Sequence, residues 1–250
     1  MSLESIKYPG GDEFVNRLIS SCPILEDLVV KRCENDNVTI FNIVVPSLKS
    51  LVLHESWDKF VAEAHGFLLD APSLELLEVF DNTCRILVVT SNMPKIVEAK
   101  VEISYDHPGK ILASIGSDVG GIFCCLVHLK MCTCEPEWLE LLMHVLKKSP
   151  KLRALKFEKC PGQGVVPCSP WMEPSSVPDC LLSSLETVEW VMYKGTEEEN
   201  EVVALILRSG SCLRKVTIHP ISTSNSKKLR MIKELSLSPR RSPTCQLAFD

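Results

Sequence analysis

The sequence predicts an α/β solenoid: an irregular horseshoe of short parallel strands lining a concave sheet, joined by variable outer segments and closed by a C-terminal cap. Three observations predict it. A short apolar pattern, P-x-L-x-x-L-x-V, recurs through most of the 250 residues. Its step length is that of one small supersecondary unit per copy. The stretches between copies show helical periodicity in some places and extended apolar runs in others.

The copies follow one another in order. Pro23-Ile24-Leu25-Glu26-Asp27-Leu28-Val29-Val30 returns as Pro46-Ser47-Leu48-Lys49-Ser50-Leu51-Val52-Leu53 and as Pro72-Ser73-Leu74-Glu75-Leu76-Leu77-Glu78-Val79. Pro94 to Val101 is a weaker copy, and Leu126 to Met131 keeps the apolar spacing without the proline. Pro150 to Phe157 restores it; Leu185 to Trp190 and Leu213 to Ile218 continue it, and Leu3 to Tyr8 fits at the front. With anchors at 3, 25, 48, 74, 96, 126, 152, 185 and 213, the mean step is about 26 residues, inside the range of leucine-rich repeats. In each copy the last two apolar residues are two apart, so they point to one side of a strand. Stacked in parallel, such strands bury that side as a continuous ladder. Cys33, Asn82, Cys134 and Cys160 fall eight positions after their anchors, where leucine-rich repeats place a turn Asn or Cys.

Between the strands, Asp12 to Ser20 reads as a helix, with Asp12 as its cap and Val15, Leu18, Ile19 and Cys22 on one face. Glu135 to Lys148 reads as another: Trp138, Leu141, Leu142, Val145 and Leu146 form an apolar stripe, and Lys147 and Lys148 suit its C-terminal end. Thr196 with Glu199 makes a capping box before Val202, Leu205 and Ile206, and Gly210 follows the end. Val38 to Phe41 and Arg85 to Thr90 read as extra strands. Pro161 to Pro178, with five prolines and Gly162-Gln163-Gly164, reads as an irregular crossing segment. It divides 1–160, the repeats, from 161–250, a region that continues and caps the stack. Ser222 to Ser226 reads as a loop, and Thr244 to Phe249 suits a terminal strand.

Composition narrows the function classes. The chain is 45% hydrophobic and 24% charged with a formal net charge of -5. That balance supports a large core and excludes disorder as the main state. Its basic clusters, Lys227-Lys228-Leu229-Arg230 and Arg240-Arg241, are short, which argues against a dedicated nucleic-acid grip. Twelve cysteines in 250 residues are too sparse for a disulfide scaffold. With no signal-like start and no apolar run long enough to span a bilayer, they point to free thiols in the cytoplasm or nucleus.

Tyr8-Pro9-Gly10-Gly11-Asp12-Glu13-Phe14, Ser21 to Leu28 and Val45 to Leu51 together resemble the plant F-box/FBD/leucine-rich-repeat proteins. The C-terminal part is similar to the FBD module in Trp171 to Pro178, Cys180 to Glu186, the acidic run Glu197 to Glu199, Cys212 to Lys215 and Ser242 to Leu247. The resemblance implies the substrate-recognition part of a cullin-based (SCF-type) ubiquitin ligase. In that family N-terminal F-box helices dock on a Skp-type adaptor and the repeats hold the target. These 250 residues begin inside a repeat, so docking on the adaptor is expected only of a longer form that carries an F-box.

Other chemistries have weaker support in the residues. Gly10-Gly11-Asp12-Glu13-Phe14 spells the signature string of diguanylate cyclases, but a glycine turn followed by a helix-capping Asp accounts for it. Cys124, Cys125, Cys132 and Cys134 raise a cysteine/histidine metal enzyme as the alternative. Their spacing lacks paired zinc knuckles, and Leu126, Leu129 and Met131 need strand geometry there. His54, His128 and His219 fall on strand faces with no nucleophile at recognisable spacing. No catalytic, cofactor or metal residues are expected. A truncated, non-functional fragment with an open strand edge is the third reading.

The candidate site is the row of residues alternating with the ladder. Asp27, Lys31, Val52, His54, Leu76, Phe80, Lys100, Lys130, Lys156, Glu158 and Glu189 are its expected protein-binding members. Among them Val52, Leu76 and Phe80 are apolar, and Lys100, Lys130 and Lys156 suggest a basic line.

Overall fold

A computed structural model describes residues 1–4, 7–32, 36–55, 66–81, 86–89, 93–103, 123–134, 138–159, 173–221 and 224–250. The chain forms two compact units, Met1–Cys125 and Leu126–Asp250.

In the first unit, strands β1 (Ser2–Glu4), β2 (Asp27–Lys31), β4 (Ser50–Glu55), β6 (Leu76–Asp81) and β8 (Glu98–Ile103) pair in that order, all parallel. Each is one copy of the repeat. Leu28, Leu51, Leu77 and Ala99 stand opposite one another in register. Val30, Leu53, Val79 and Val101 form the next ladder. The anchors Leu48, Leu74 and Ile96 have no exposed surface. A leucine so placed contributes about 2–5 kcal/mol against its replacement by alanine.

One backbone motif repeats with the anchors. The carbonyl of the residue after the anchor accepts from two successive N–H groups of the next copy. Glu26 O accepts from Lys49 and Ser50, Lys49 O from Glu75 and Leu76, and Glu75 O from Val97 and Glu98. The anchor's own N–H closes a turn onto the residue three before it, as in Leu48 to Val45 and Leu74 to Ala71. Each strand therefore starts at a height set by its predecessor.

The first copy departs from the expected register. Leu3 pairs with Val30, so it belongs to the second ladder and not to the column of Leu25. The strand that would have served the expected alignment ends at Glu4, and the chain turns into α1 (Gly11–Ser20) through Gly10 and Gly11, both at positive φ. At Gly11 a Cβ would lie 2.9 Å from the Asn37 carbonyl oxygen.

Outside this sheet, β3 (Ile40–Val44), β5 (Gly66–Asp70) and β7 (Ile86–Val89) form a second parallel sheet. The two expected extra strands are present as β3, which starts two residues later than read, and β7. β5 between them is an addition.

Asp12 does not cap α1; Gly10 holds the N-cap position. The Asp12 carboxylate instead accepts from Thr39 N (2.6 Å) and Ile40 N (3.2 Å), and Asn16 Oδ1 accepts from Asn42 N (3.0 Å). Spaced four apart, both side chains lie on one face of the helix and satisfy the edge of β3. Arg32 reinforces the same region with a bidentate pair to Asp36 at 2.7 and 2.8 Å. Its guanidinium lies 5.2 Å from the centre of the Phe41 ring.

In the second unit, β9 (His128–Cys132), β10 (Ala154–Glu158), β11 (Thr187–Tyr193), β12 (Lys215–Pro220) and β13 (Gln246–Phe249) pair in order, again parallel. Leu129, Leu155, Val188, Val216 and Leu247 make one ladder, and Met131, Phe157, Trp190, Ile218 and Phe249 the other. The terminal strand read at Thr244 to Phe249 is present as β13. Helices α2 (Trp138–Lys148), α3 (Asp179–Ser183), α4 (Glu197–Ser209) and α5 (Asn225–Ser236) run between the strands. The predicted stripe of α2 is entirely buried, and the capping box of α4 is present. The segment read as a loop at 222–226 gives way to α5 from Asn225 onward.

The second ladder is aromatic at its centre. Phe157 and Trp190 are 4.2 Å apart, Trp138 meets Trp190 edge-on at 5.7 Å, and Tyr193 meets it at 5.4 Å. Strict alternation along β11 would bury Met192 and expose Tyr193. A bulge between Val191 and Tyr193 reverses this. Met192 absorbs it at φ 61°, and Tyr193 turns inward, fully buried.

Trp57, Trp171, His65, His107, Cys33, Asn82 and Cys160 lie outside the described residues, as does most of the crossing segment 161–178.

Candidate functional site

Because side chains alternate along a strand, burying Leu28 and Val30 turns Asp27, Val29 and Lys31 to the other face. The same holds for every repeat, and parallel pairing sets the outward residues in rows. In the first unit the rows are Asp27–Ser50–Leu76–Glu98, Val29–Val52–Glu78–Lys100 and Lys31–His54–Phe80–Glu102. Thus Asp27, Lys31, Val52, His54, Leu76, Phe80 and Lys100 share one surface. Val29, Val52, Leu76 and Phe80 are half-buried on it.

Phe80 is not an open apolar side chain. His54 from β4 stacks on its ring at 4.1 Å with 16° between the planes, and Lys100 from β8 places Nζ 4.2 Å from the ring centre. Since β4 and β8 flank β6, the ring is held from both sides, an imidazole against one and an ammonium against the other. Lys100 also pairs with Glu102 at 3.6 Å. Burial, then the nearby Lys31, pushes the His54 pKa down. At the sheet's first strand Ser2 donates to Glu4 at 2.7 Å and Lys31 Nζ lies 3.2 Å from it. Those two contacts, Ser2 first, hold the Glu4 carboxyl below its usual range.

In the second unit, Lys130, Lys156, Glu189 and Thr217 form one row. Lys130 pairs with Glu158 at 2.6 Å and Lys156 with Glu189 at 2.8 Å. His219 Nε2 lies 3.6 Å from the same Glu189 carboxylate. Each lysine of the expected basic line therefore has a carboxylate beside it, so these side chains present alternating charge and not a positive track. Thr217, opposite Glu189 at the end of that row, is buried.

Glu4, Glu102 and His219 complete these contacts, and of the three Glu4 is the one the sequence does not place on the outward face. Glu102 and His219 follow from extending each outward row by one alternation. Glu4 is hidden by the register that sets Leu3 opposite Leu25, and becomes visible once Leu3 is set opposite Val30.

The cysteines are spread through the fold. Cys132 is buried at the end of β9, and Cys124, Cys125 and Cys134 are half-buried. Among the described residues, no group of three His, Cys, Asp or Glu side chains is placed to hold a metal ion. Cys180 is buried, its thiol donating to Leu146 O at 3.4 Å, and burial pushes its pKa up to about 12. Among the described residues no helix is long and apolar enough to cross a membrane.

The FBD family profile matches residues 173–218, which span α3, β11, α4 and most of β12, and a leucine-rich-repeat profile matches residues 1–23. A probable FBD-associated F-box protein of Arabidopsis thaliana is 53% identical over 100% of this chain and 63% of its own length. A putative FBD-associated F-box protein from the same plant is 46% identical, over 100% and 62%. An F-box/FBD/LRR-repeat protein, also from Arabidopsis, is 40% identical, over 100% and 63%. The chain spans a little under two thirds of the length of these curated relatives.

Proposed function

We propose that this chain, similar over its whole length to FBD-associated F-box proteins of Arabidopsis thaliana, is the target-holding part of an F-box-type ubiquitin ligase subunit. It works by binding alone, in the cytoplasm or nucleus, and carries out no reaction itself. The observation that supports this most is the outward face of the first unit. Half-buried Val29, Val52, Leu76 and Phe80 lie there among Lys31, His54, Lys100 and Glu102, the mixture of apolar anchors and charged rim that protein partners use. The ion-paired row of the second unit, with Lys130, Lys156, Glu158 and Glu189, is a second outward strand surface that can contact a partner. Residues 161–250 continue and cap the repeats, a division supported by the FBD match inside that range and by β13 pairing with β12.

Two experiments test the proposal. Affinity capture from plant extract, comparing wild type with a Leu76→Ala/Phe80→Ala variant, is expected to lose its specific partner in the variant. Retention of the same partner at the same level would refute the site. A Skp-type adaptor is expected not to be retained by these 250 residues and to be retained when an F-box is fused ahead of them. Direct adaptor binding by the 250 residues would show that they do more than hold the target.

A further inference from the structure

We propose that the outward face of α5 is a second interaction surface, which docks an acidic protein segment bearing leucine-like anchors. The surface lies on a different element from the strand rows and does not depend on what they bind.

The argument begins with what holds α5. Met231 and Leu235 are its buried residues. Met231 packs against the turn before α4 so closely that a Cβ on Gly195 would lie 3.0 Å from its terminal methyl. This fixes which face of the helix looks outward. Leu229 and Lys233 are four apart, and Leu237, at the C-cap in right-handed helical geometry, is four further on, so the three form one stripe. Leu229 is 66% exposed and Leu237 77%, the two most exposed large apolar side chains described in this unit.

The charge around that stripe is one-sided. Between 225 and 243 there are six basic residues (Lys227, Lys228, Arg230, Lys233, Arg240, Arg241) and one acidic residue, Glu234, in a chain whose net charge is -5. Glu234 is taken up by Arg230 at 3.3 Å, and Arg240 donates to Cys245 O. Lys227, Lys228 and Lys233 have no ion-pair partner among the described residues; Lys233 lies in the stripe, whereas Lys227 and Lys228 sit one turn before Met231 on its side of the helix. Two exposed leucines with the unpaired Lys233 ammonium between them match a partner of the opposite kind: a carboxylate between apolar anchors.

Other occupants fit less well. A nucleic-acid backbone would use the lysines and leave the leucines in water. A membrane surface needs a broad apolar face, whereas the apolar face of α5 is already spent on the core and only two leucines remain.

The test uses the whole 250-residue chain and a synthetic helical peptide with leucines at i, i+4 and i+8 flanked by glutamates. Controls are the same peptide with serine for leucine, the same with lysine for glutamate, phosphatidylserine vesicles and a 20-base-pair DNA duplex. Titration is expected to show binding only to the leucine-glutamate peptide. Affinity should weaken about tenfold or more in Leu229→Ser/Leu237→Ser and in Lys233→Glu, and be unchanged in Leu76→Ala/Phe80→Ala. These side chains are exposed, so both α5 variants should keep the wild-type urea midpoint. Equal binding of the leucine-free peptide, vesicle or DNA binding untouched by the leucine variant, self-association through α5, or no binding of any probe would overturn the proposal.

Discussion

Ser47 and Ser184 sit in different units and do the same work. Each precedes its repeat's anchor leucine, and each hydroxyl lies within reach of two carbonyls of the preceding copy. For Ser47 these are Pro23 O and Leu25 O, at 2.9 and 2.8 Å; for Ser184 they are Pro150 O and Leu152 O, at 2.8 and 2.9 Å. Cys212 holds the equivalent place and gives its thiol to Ser183 O at 3.2 Å. Ser184→Ala is therefore expected to cost about 1–2 kcal/mol, read as a lower urea midpoint, with Cys212→Ser near neutral. In the sequence these serines show only as the residue before an anchor leucine, in Pro46-Ser47-Leu48 and Ser183-Ser184-Leu185; their acceptors lie 22 to 34 residues away and only stacking reveals them. His54 makes a second residue-scale prediction. Its pKa is lowered in the fold, so the unfolded chain takes up the proton more readily. Stability should then fall as pH drops below about 6.5, the ordinary histidine value, while His54→Gln loses that part of the dependence. His144, also shifted down by burial, adds the same sign, so the comparison is between variant and wild type across pH 7.5 to 5.5. An equal fall in both proteins would mean His54 plays no part. Thiol chemistry gives a third: exposed Cys212 should react quickly with a disulfide reagent in the native protein, and Cys180, buried with its pKa raised, only on unfolding.

At the scale of elements, the helices with a clear apolar stripe, α1, α2 and α4, were legible, and α3 and α5 were not. The predicted faces of α2 and α4 are the buried ones. α5 begins in a polar run and buries only Met231 and Leu235, too narrow a stripe to stand out from a loop. β5 reads Gly-Phe-Leu-Leu-Asp, with only three consecutive large apolar residues, too short a run for periodicity to assign. Asp12 shows how a right local pattern can carry a wrong role. Its position before an apolar stripe resembles a cap, yet its acceptors are used by β3, an element the helix meets only after folding. Asp12→Ala should therefore loosen β3 more than α1. Amide exchange at Thr39 and Ile40 should quicken while the α1 amides change little; the reverse pattern would restore the capping role. Glu199 joins two roles. One carboxylate oxygen accepts from the N–H groups of Lys194 and Gly195, each at 2.8 Å, and of Thr196 at 3.4 Å. The other lies 3.0 Å from Lys159 Nζ. Glu199→Ala strands all of these groups and is expected to cost about 3 kcal/mol or more, measured by urea unfolding, whereas exposed Glu197→Ala should lie within about 0.5 kcal/mol of wild type.

For the molecule as a whole, the repeat was the legible part, because each unit must present its apolar pair at the same height as the last. The ladders of Leu28–Leu51–Leu77–Ala99 and Leu129–Leu155–Val188–Val216 follow directly from the anchor spacing. The first copy misled because Leu3, Ile6 and Tyr8 have the same internal spacing as a true copy. Only pairing with β2 distinguishes the two registers. The candidate rows were legible for the same reason as the ladders, since facing is set by alternation. Their electrostatics were not: Lys130 and Lys156 look like a basic line until the glutamates of adjacent strands are set beside them, a relation between residues about 30 positions apart. The claim that the outward strand face of the first unit holds a protein partner is tested most directly by photocrosslinking. A photoreactive amino acid is placed singly at half-buried Val52 or Leu76, and, for comparison, at exposed Ile40 or Val44 on β3. Crosslinks to one specific partner from Val52 and Leu76, with none from Ile40 and Val44, are the expected result. Crosslinking from β3 alone would contradict it.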